Sequence, residues 1–247
     1  VYKQVLADMK AAEGRVYEIT KFGHASRVSK SAVQGILARV YLKMAGYPLN
    51  GGTAGSAAMY DSARTYCRKV MNSGLHSLNP SYSQVFINHA ANTFELKESI
   101  WELDVSGNTS SVPRIDGQFG IQNGILYQPT GQLLADSGYS WGFAYANKAL
   151  YDKYDVYDAR RDWNVANFTY GVDNARVTLA RNPISNSRPF EYNRNNAKWR
   201  RTFENFFPKD RFTSSVSFGI LRYSDVLLMF AEADLQLNGG TCTVDGI

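Results

Sequence analysis

Residues 27–48 constrain the fold more than any other stretch, because a helix start, a buried face and a stop are all legible there. Ser31 followed by Gln34 has capping-box spacing, with the hydroxyl accepting from the third helical amide and the Gln side chain reaching back. Val33, Ile36, Leu37, Val40, Tyr41 and Met44 fall at the i, i+3/i+4, i+7 positions of a single apolar stripe. Gly46 offers a left-handed residue at the C-terminus, and Pro48 cannot continue a helix.

A second helix is expected over 60–73, with Tyr60, Ala63, Cys67, Val70 and Met71 on one stripe and Gly74 as its stop. The Gly-rich segment 50–55 joins the two into an αα-hairpin. Neither helix can bury its stripe alone, so more helices must pack on them. Residues 1–13 read as one, with Asp8 and Glu13 facing out. Residues 224–237 read as another, apolar almost all round and therefore buried on most sides, with Glu232 needing a cationic partner such as Arg222.

The middle of the chain changes character. Residues 82–86 form a short helical turn. Residues 100–105 alternate as a half-buried strand, with Trp101, Leu103 and Val105 on the core side and Glu102 and Asp104 opposite. From 106 to 140, Gly107, Gly117, Gly120, Gly124, Gly131 and Gly138, with Pro113 and Pro129, interrupt every apolar run and predict a long loop. A long loop inside a compact domain points to a binding segment. Residues 144–154 return to helix, with Ala146, Leu150 and Tyr154 at intervals of four, and 162–218 hold short strand-like pieces and turns around Asn182-Pro183, Arg188-Pro189 and Phe207-Pro208.

Composition excludes several classes. At 247 residues and 44% hydrophobic content the chain is long enough for a core, and it contains no apolar run of membrane-spanning length. Two cysteines, Cys67 and Cys242, make no disulfide framework or metal motif, and Cys67 reads as a small buried hydrophobe. The net charge of +5 is local: residues 160–211 hold eleven Lys/Arg against five acids, interleaved with aromatics. Such a mixture could serve single-stranded nucleic acid, or equally Arg stacking inside a protein or grip on a sugar.

Catalytic motifs are weak. Gly138-Tyr139-Ser140-Trp141-Gly142 matches a nucleophile elbow, but His24, His76 and His89 all precede Ser140, against the hydrolase order. Asp152, Asp155 and Asp158 recur at threes without a Gly-bearing calcium loop, so carboxylates beside Arg160 and Arg161 are the simpler reading. Glu102 and Asp104 could serve a glycosidase only at a separation that the sequence does not give. No metal or cofactor motif is present. Non-catalytic sugar binding needs only an exposed aromatic face and a few polar groups. The candidate ligand-binding residues are Trp141, Tyr139, Tyr127, Phe143 and Asn123. Gly142 and Ser140 would let the Trp141 ring stand clear to meet a ligand; packing under the loop is the alternative.

An ordered set of segments resembles one family. Gly14-Arg15 and residues 23–27 lead into 30–47; then come the 60–78 helix with Ser73-Gly74-Leu75, Phe86, Glu98-Ser99-Ile100-Trp101-Glu102, and Leu221-Arg222-Tyr223-Ser224-Asp225-Val226-Leu227-Leu228-Met229-Phe230-Ala231-Glu232-Ala233. Together these resemble the SusD/RagB family of outer-membrane nutrient-binding lipoproteins, and Asp158 with Arg160-Arg161 matches its acid-then-Arg element. The resemblance implies a mostly α fold of tetratricopeptide-like helical pairs (an αα-superhelix) with a loop-rich region containing a few short strands. One domain would span 1–247: a helical-repeat scaffold over 1–105, a loop-rich ligand region over 106–218 and a buried core helix over 219–240. It implies a fragment without its natural start and with further helices to follow. The implied role is non-enzymatic binding of a glycan or other nutrient oligomer at the outer-membrane surface and delivery to a TonB-dependent, SusC-like transporter. It involves no cofactor and no nucleic acid, and membrane attachment comes only through a lipid anchor that this stretch lacks. A helical-repeat protein–protein adaptor is the alternative, with a glycoside or serine hydrolase behind it.

Overall fold

The computed structural model describes residues 1–105, 117–171, 176–178, 194–241 and 243; Gly107, Pro113, the turns at Asn182-Pro183 and Arg188-Pro189, and Cys242 lie outside them. The chain is mostly helical. In order it forms α1 (Tyr2–Glu13), α2 (Lys30–Ala45), α3 (Ala54–Asn72), α4 (Tyr82–Ala91), β1 (Ser99–Leu103), α5 (Phe119–Gln122), α6 (Gly131–Ser137), α7 (Lys148–Asp152), α8 (Arg161–Asn164), β2 (Phe168–Tyr170), β3 (Arg176–Thr178), β4 (Phe218–Arg222) and α9 (Tyr223–Leu237). Single 3-10 turns occupy Ile19–Lys21 and Arg201–Phe203. Two compact units result, one from Val1–Asn79, Phe94–Leu103 and Gly219–Ile247, the other from Pro80–Thr93 and Asp104–Phe218.

In the first unit, α2 packs between its neighbours through more than one stripe. Val33, Leu37 and Tyr41 are buried as the periodicity requires, and so are Ala32, Gly35 and Ala38 on a second, small-residue face. That face lets Leu221 of β4 approach closely: a Cβ on Gly35 would sit 2.4 Å from a Leu221 methyl. The cap is Ser29, which accepts from the Ala32 amide; Ser31 lies two residues further in and is buried. Gln34 turns to Glu13 instead, donating at 3.0 Å. Gly46 is extended rather than left-handed (φ −81°, ψ 178°), and the last turn is held by Asn50, which donates to the Met44 carbonyl at 2.7 Å.

The other helices depart from expectation in ways set by tertiary contacts. α3 begins at Ala54, six residues before the apolar stripe, and adds Tyr66, which stacks on Tyr41 at 5.7 Å. Cys67 is buried in its middle, where desolvation pushes the thiol up to about 12. Gly74 is left-handed as expected (φ +67°). Glu13 faces inward, not outward. Burial pushes its carboxyl up, but the bonds from Gln34 and from Lys69 (2.9 Å) outweigh that and hold it below the usual range.

Strand β1 pairs with β4 in the opposite phase to the one expected. Ile100 and Glu102 point inward, Trp101 is half-buried against the core and Leu103 is exposed. Ile100, fully buried against the α2–α3–α9 core, sets the phase, and strand periodicity takes Glu102 with it. In α9 the buried carboxylate is Asp234, not Glu232, which is exposed, as is Leu228; α9 therefore keeps one open face. Arg222 pairs with Glu98 at 3.2 Å.

Asp234 accepts the Thr243 amide at 2.7 Å and Arg64 at 3.2 Å, and these bonds, the amide first, hold its carboxyl below the ordinary value despite burial. A depressed carboxyl contributes stability that is present above its unfolded pKa of about 3.9 and is lost as pH falls through the folded value. Asp234→Asn should therefore lower the melting temperature at pH 7 and flatten the loss of stability below about pH 4. Melting curves from pH 7 to about 2.5 check this, and an unchanged acid limb would contradict it.

In the second unit α4, capped by Ser81, extends a full turn past the expected 82–86 segment and closes at left-handed Asn92 (φ 55°). The part of the expected loop that is described, 117–140, carries two short helices, α5 and α6. The expected 144–154 helix shrinks to α7, because residues 144–146 are extended: Ala146 donates to Arg194 at 2.7 Å and Asn196 to Ala144 at 3.0 Å. β2 and β3 pair antiparallel, Phe168 opposite Thr178. The three acids at threes have separate partners. Lys148 binds Asp152, the Tyr157 amide binds Asp155, and Arg160 closes on Asp158, holding its carboxyl down to about 2.

Candidate functional site

Three of the candidate residues, Tyr139, Trp141 and Phe143, lie on one segment of the second unit, residues 139–145; Tyr127 pairs with it at Ser140, and Asn123 ends α5. The backbone of the segment is tied on both sides. Ser140 pairs with Tyr127, Trp141 donates to Ile121 and Phe143 to Gln122 at the end of α5, and Tyr145 bridges Asn195. Gly142 is left-handed (φ +59°), and a Cβ there would lie 2.7–2.8 Å from Leu126, so only glycine allows this approach. Asn195 fixes the crossing, donating from its amide to Gly142 O and accepting from the Leu126 amide, both at 3.0 Å.

The aromatics of this segment stand at every second position, 139, 141, 143 and 145, with the left-handed Gly142 between the second and the third. Trp141, Phe143 and Tyr145 are 37%, 66% and 52% exposed, whereas Tyr139 is 4% and Tyr127 8%. Trp141 and Phe143 lie almost parallel, 8° apart with centroids at 5.7 Å, and Tyr139 meets Trp141 edge-on at 4.8 Å. Tyr127 packs on Tyr170 at 4.9 Å. Burial thus removes Tyr139 and Tyr127 from the open surface, and Tyr139 is the ring on which Trp141 packs. Asn123 caps α5: its amide N–H bonds Phe119 O at 3.3 Å, which leaves the side-chain oxygen to accept from a hydroxyl.

Beneath the segment lies a buried ionic knot. Arg201, 5% exposed, donates to Glu204 (3.0 Å), Tyr139 O (2.8 Å), Asp210 O (2.8 Å) and Thr213 O (2.6 Å). Glu204 also accepts from Ser214 at 2.5 Å. Every oxygen of this knot faces a donor, so a charge that is costly to bury is compensated and the Tyr139 carbonyl is fixed. Gly138 (φ +80°) permits it, since a Cβ there would sit 3.0 Å from the guanidinium.

The geometry suits a ligand that offers an apolar face and hydroxyls. It does not suit nucleophilic attack by Ser140, which is buried and donates its hydroxyl to Ile121 O at 3.2 Å. His89, the histidine of this unit, is buried on α4 in contact with Phe86. Of the other proposed acids, Glu102 is buried in the first unit and Asp104 accepts from Ser217 in the second. Tyr145, Asn195 and Arg201 escaped sequence reading. The alternation 139, 141, 143, 145 signalled Tyr145, but spacing at fours further on favoured a helix there.

Comparison with known proteins places the chain. No curated protein matches it. Its fold is similar to that of a SusD homolog from Bacteroides thetaiotaomicron VPI-5482, with TM-score 0.79 and 23% identity over 99% of this chain and 48% of that one. It is also similar to a SusD superfamily protein from Parabacteroides distasonis ATCC 8503 (TM-score 0.67, 20% identity, 98% and 47% covered). A third likeness is to surface glycan-binding protein A from Bacteroides thetaiotaomicron in complex with laminarihexaose (TM-score 0.67, 17% identity, 99% and 51% covered). The chain spans about half the length of these solved structures. The sequence profile of the SusD family matches residues 97–245, more than half of the chain, and the protein belongs to that family.

Proposed function

We propose that this protein binds a glycan without cleaving it, at the outer-membrane surface, and passes it to a TonB-dependent transporter. The observation that carries the reading is the exposed, parallel Trp141–Phe143 pair on a backbone tied at every step. Flat aromatic faces cover the C–H side of a sugar ring, and a rigid base avoids the ordering cost that a mobile loop incurs on binding. Two similar structures carry saccharides, laminarihexaose in one and a xylogluco-oligosaccharide in the other, which supports the ligand class. Family membership supports surface localisation through a lipid anchor and the transporter partnership.

Affinity electrophoresis of the protein through gels containing a panel of plant, algal and host polysaccharides tests this. Retardation in at least one gel, with the polymer recovered uncleaved, is the expected result. Migration unchanged in every gel, together with capture of a soluble protein, would favour the adaptor reading instead. Shortening of the polymer would favour the hydrolase reading.

A further inference from the structure

A cation stands beside the aromatic segment. The Arg211 guanidinium lies 4.8 Å from the centre of the Tyr139 ring, and Tyr139 meets Trp141 at a further 4.8 Å. Arg211 is exposed, and among the described residues it has no hydrogen-bond or ion-pair partner. The neighbouring acids are occupied. Asp210 turns back to accept from the amides of Phe212 and Thr213, and Glu204 is sealed against Arg201 and Ser214.

The other cations of this stretch are engaged elsewhere. Residues 194–211 hold six Lys/Arg against two acids. Arg194 is buried over Tyr151, Lys198 lies over Phe86, Arg200 over Trp163, and Lys209 donates to Asp136 O. Arg201 is closed in its knot, so Arg211, over the Tyr139 ring on which Trp141 packs, is the cation of residues 194–211 left open. A guanidinium stacked on an aromatic face is held in plane while its N–H fork stays open, the geometry that grips a carboxylate or sulfate with two parallel bonds.

We propose that the ligand of this site is an anionic glycan, with a carboxylate or sulfate held by Arg211 while a sugar ring of the same chain lies on Trp141. The proposal rests on the glycan reading above and narrows it to a substrate class.

The test pairs acidic polysaccharides (polygalacturonate, alginate, chondroitin sulfate) with neutral ones (galactan, laminarin, xyloglucan) in affinity electrophoresis at low and raised salt, with oligothymidylate as a further arm. At least one acidic polymer should bind more tightly than any neutral one, and its affinity should fall as salt rises. Arg211→Gln should weaken that binding about tenfold, with Arg211→Lys intermediate and the melting temperature unchanged. Whether uronate or sulfate binds better tells which anion is preferred, and Arg211-dependent binding of either supports the proposal. A preference for neutral polymers, or an Arg211→Gln variant that binds acidic polymers as well as the parent, overturns it and leaves glycan binding standing. Binding of oligothymidylate and of no saccharide overturns both.

Discussion

Arg201→Met is expected to destabilise the second unit by about 3–5 kcal/mol, the cost of breaking a buried ion pair from one side. The variant leaves Glu204, 2% exposed, with Ser214 as its remaining partner, and takes the donor away from the carbonyls of Tyr139, Asp210 and Thr213. Each buried acceptor left unsatisfied costs about 1–3 kcal/mol, so the loss does not rest on the charge alone. This separates two accounts of the knot. If it mattered only as an ion pair, Arg201→Met combined with Glu204→Leu would recover nearly all the stability, since buried pairs roughly break even against apolar replacements. The loss of the Arg201 bonds to backbone carbonyls, the buried one of Tyr139 among them, predicts that the double variant recovers only part. Guanidinium denaturation followed by tryptophan fluorescence measures both, and a single-variant loss below about 1 kcal/mol would show that the knot is dispensable.

How much of this was legible in sequence depends on whether the partner is local. α2 was readable because apolar spacing and Pro48 act within one or two turns, and the end of α3 because Gly74 needs no distant group to turn left-handed. Ser29 and Ser31 are chemically equivalent cap candidates two residues apart; Ser29 caps α2, and Gln34 bonds Glu13 on α1 rather than reaching back to the cap. The phase of β1 failed for a similar reason. Alternation fixes two faces but does not say which is buried, and the α2–α3–α9 core selected Ile100. Asp234 and Glu232 lie two apart on α9, and only the position of Arg64 on α3 makes the first the buried acid.

The site shows the same division. For Trp141, flanked by Ser140 and Gly142, the sequence leaves open whether the ring stands clear or packs under the loop, and the structure leaves it 37% exposed. That Tyr139 and Tyr127 lie beneath rather than beside it follows from Arg201 and Tyr170, more than forty residues away in sequence from the residue each one holds. Tyr145 has spacing that fits either a helix or an extended chain, and its bridge to Asn195 decides against the helix.

The largest expected effect on binding is that of Trp141. A tryptophan side chain carries about 150–250 Å² of surface, and its 37% exposure leaves about 55–90 Å² for a sugar to cover. At about 25 cal/mol per Å² that is about 1.5–2 kcal/mol, a loss of about tenfold to thirtyfold in affinity on replacement by alanine. Because Trp141 is 37% exposed and Tyr139 only 4%, the fold should tolerate the change better than Tyr139→Ala, which empties a buried position. The most direct measurement is isothermal titration of the saccharide retained in the gels into the parent protein and into Trp141→Ala, with melting temperatures recorded on the same samples. A tenfold or greater rise in Kd at an unchanged melting temperature is the predicted result; equal Kd values would contradict the assignment of this segment as the glycan-binding site.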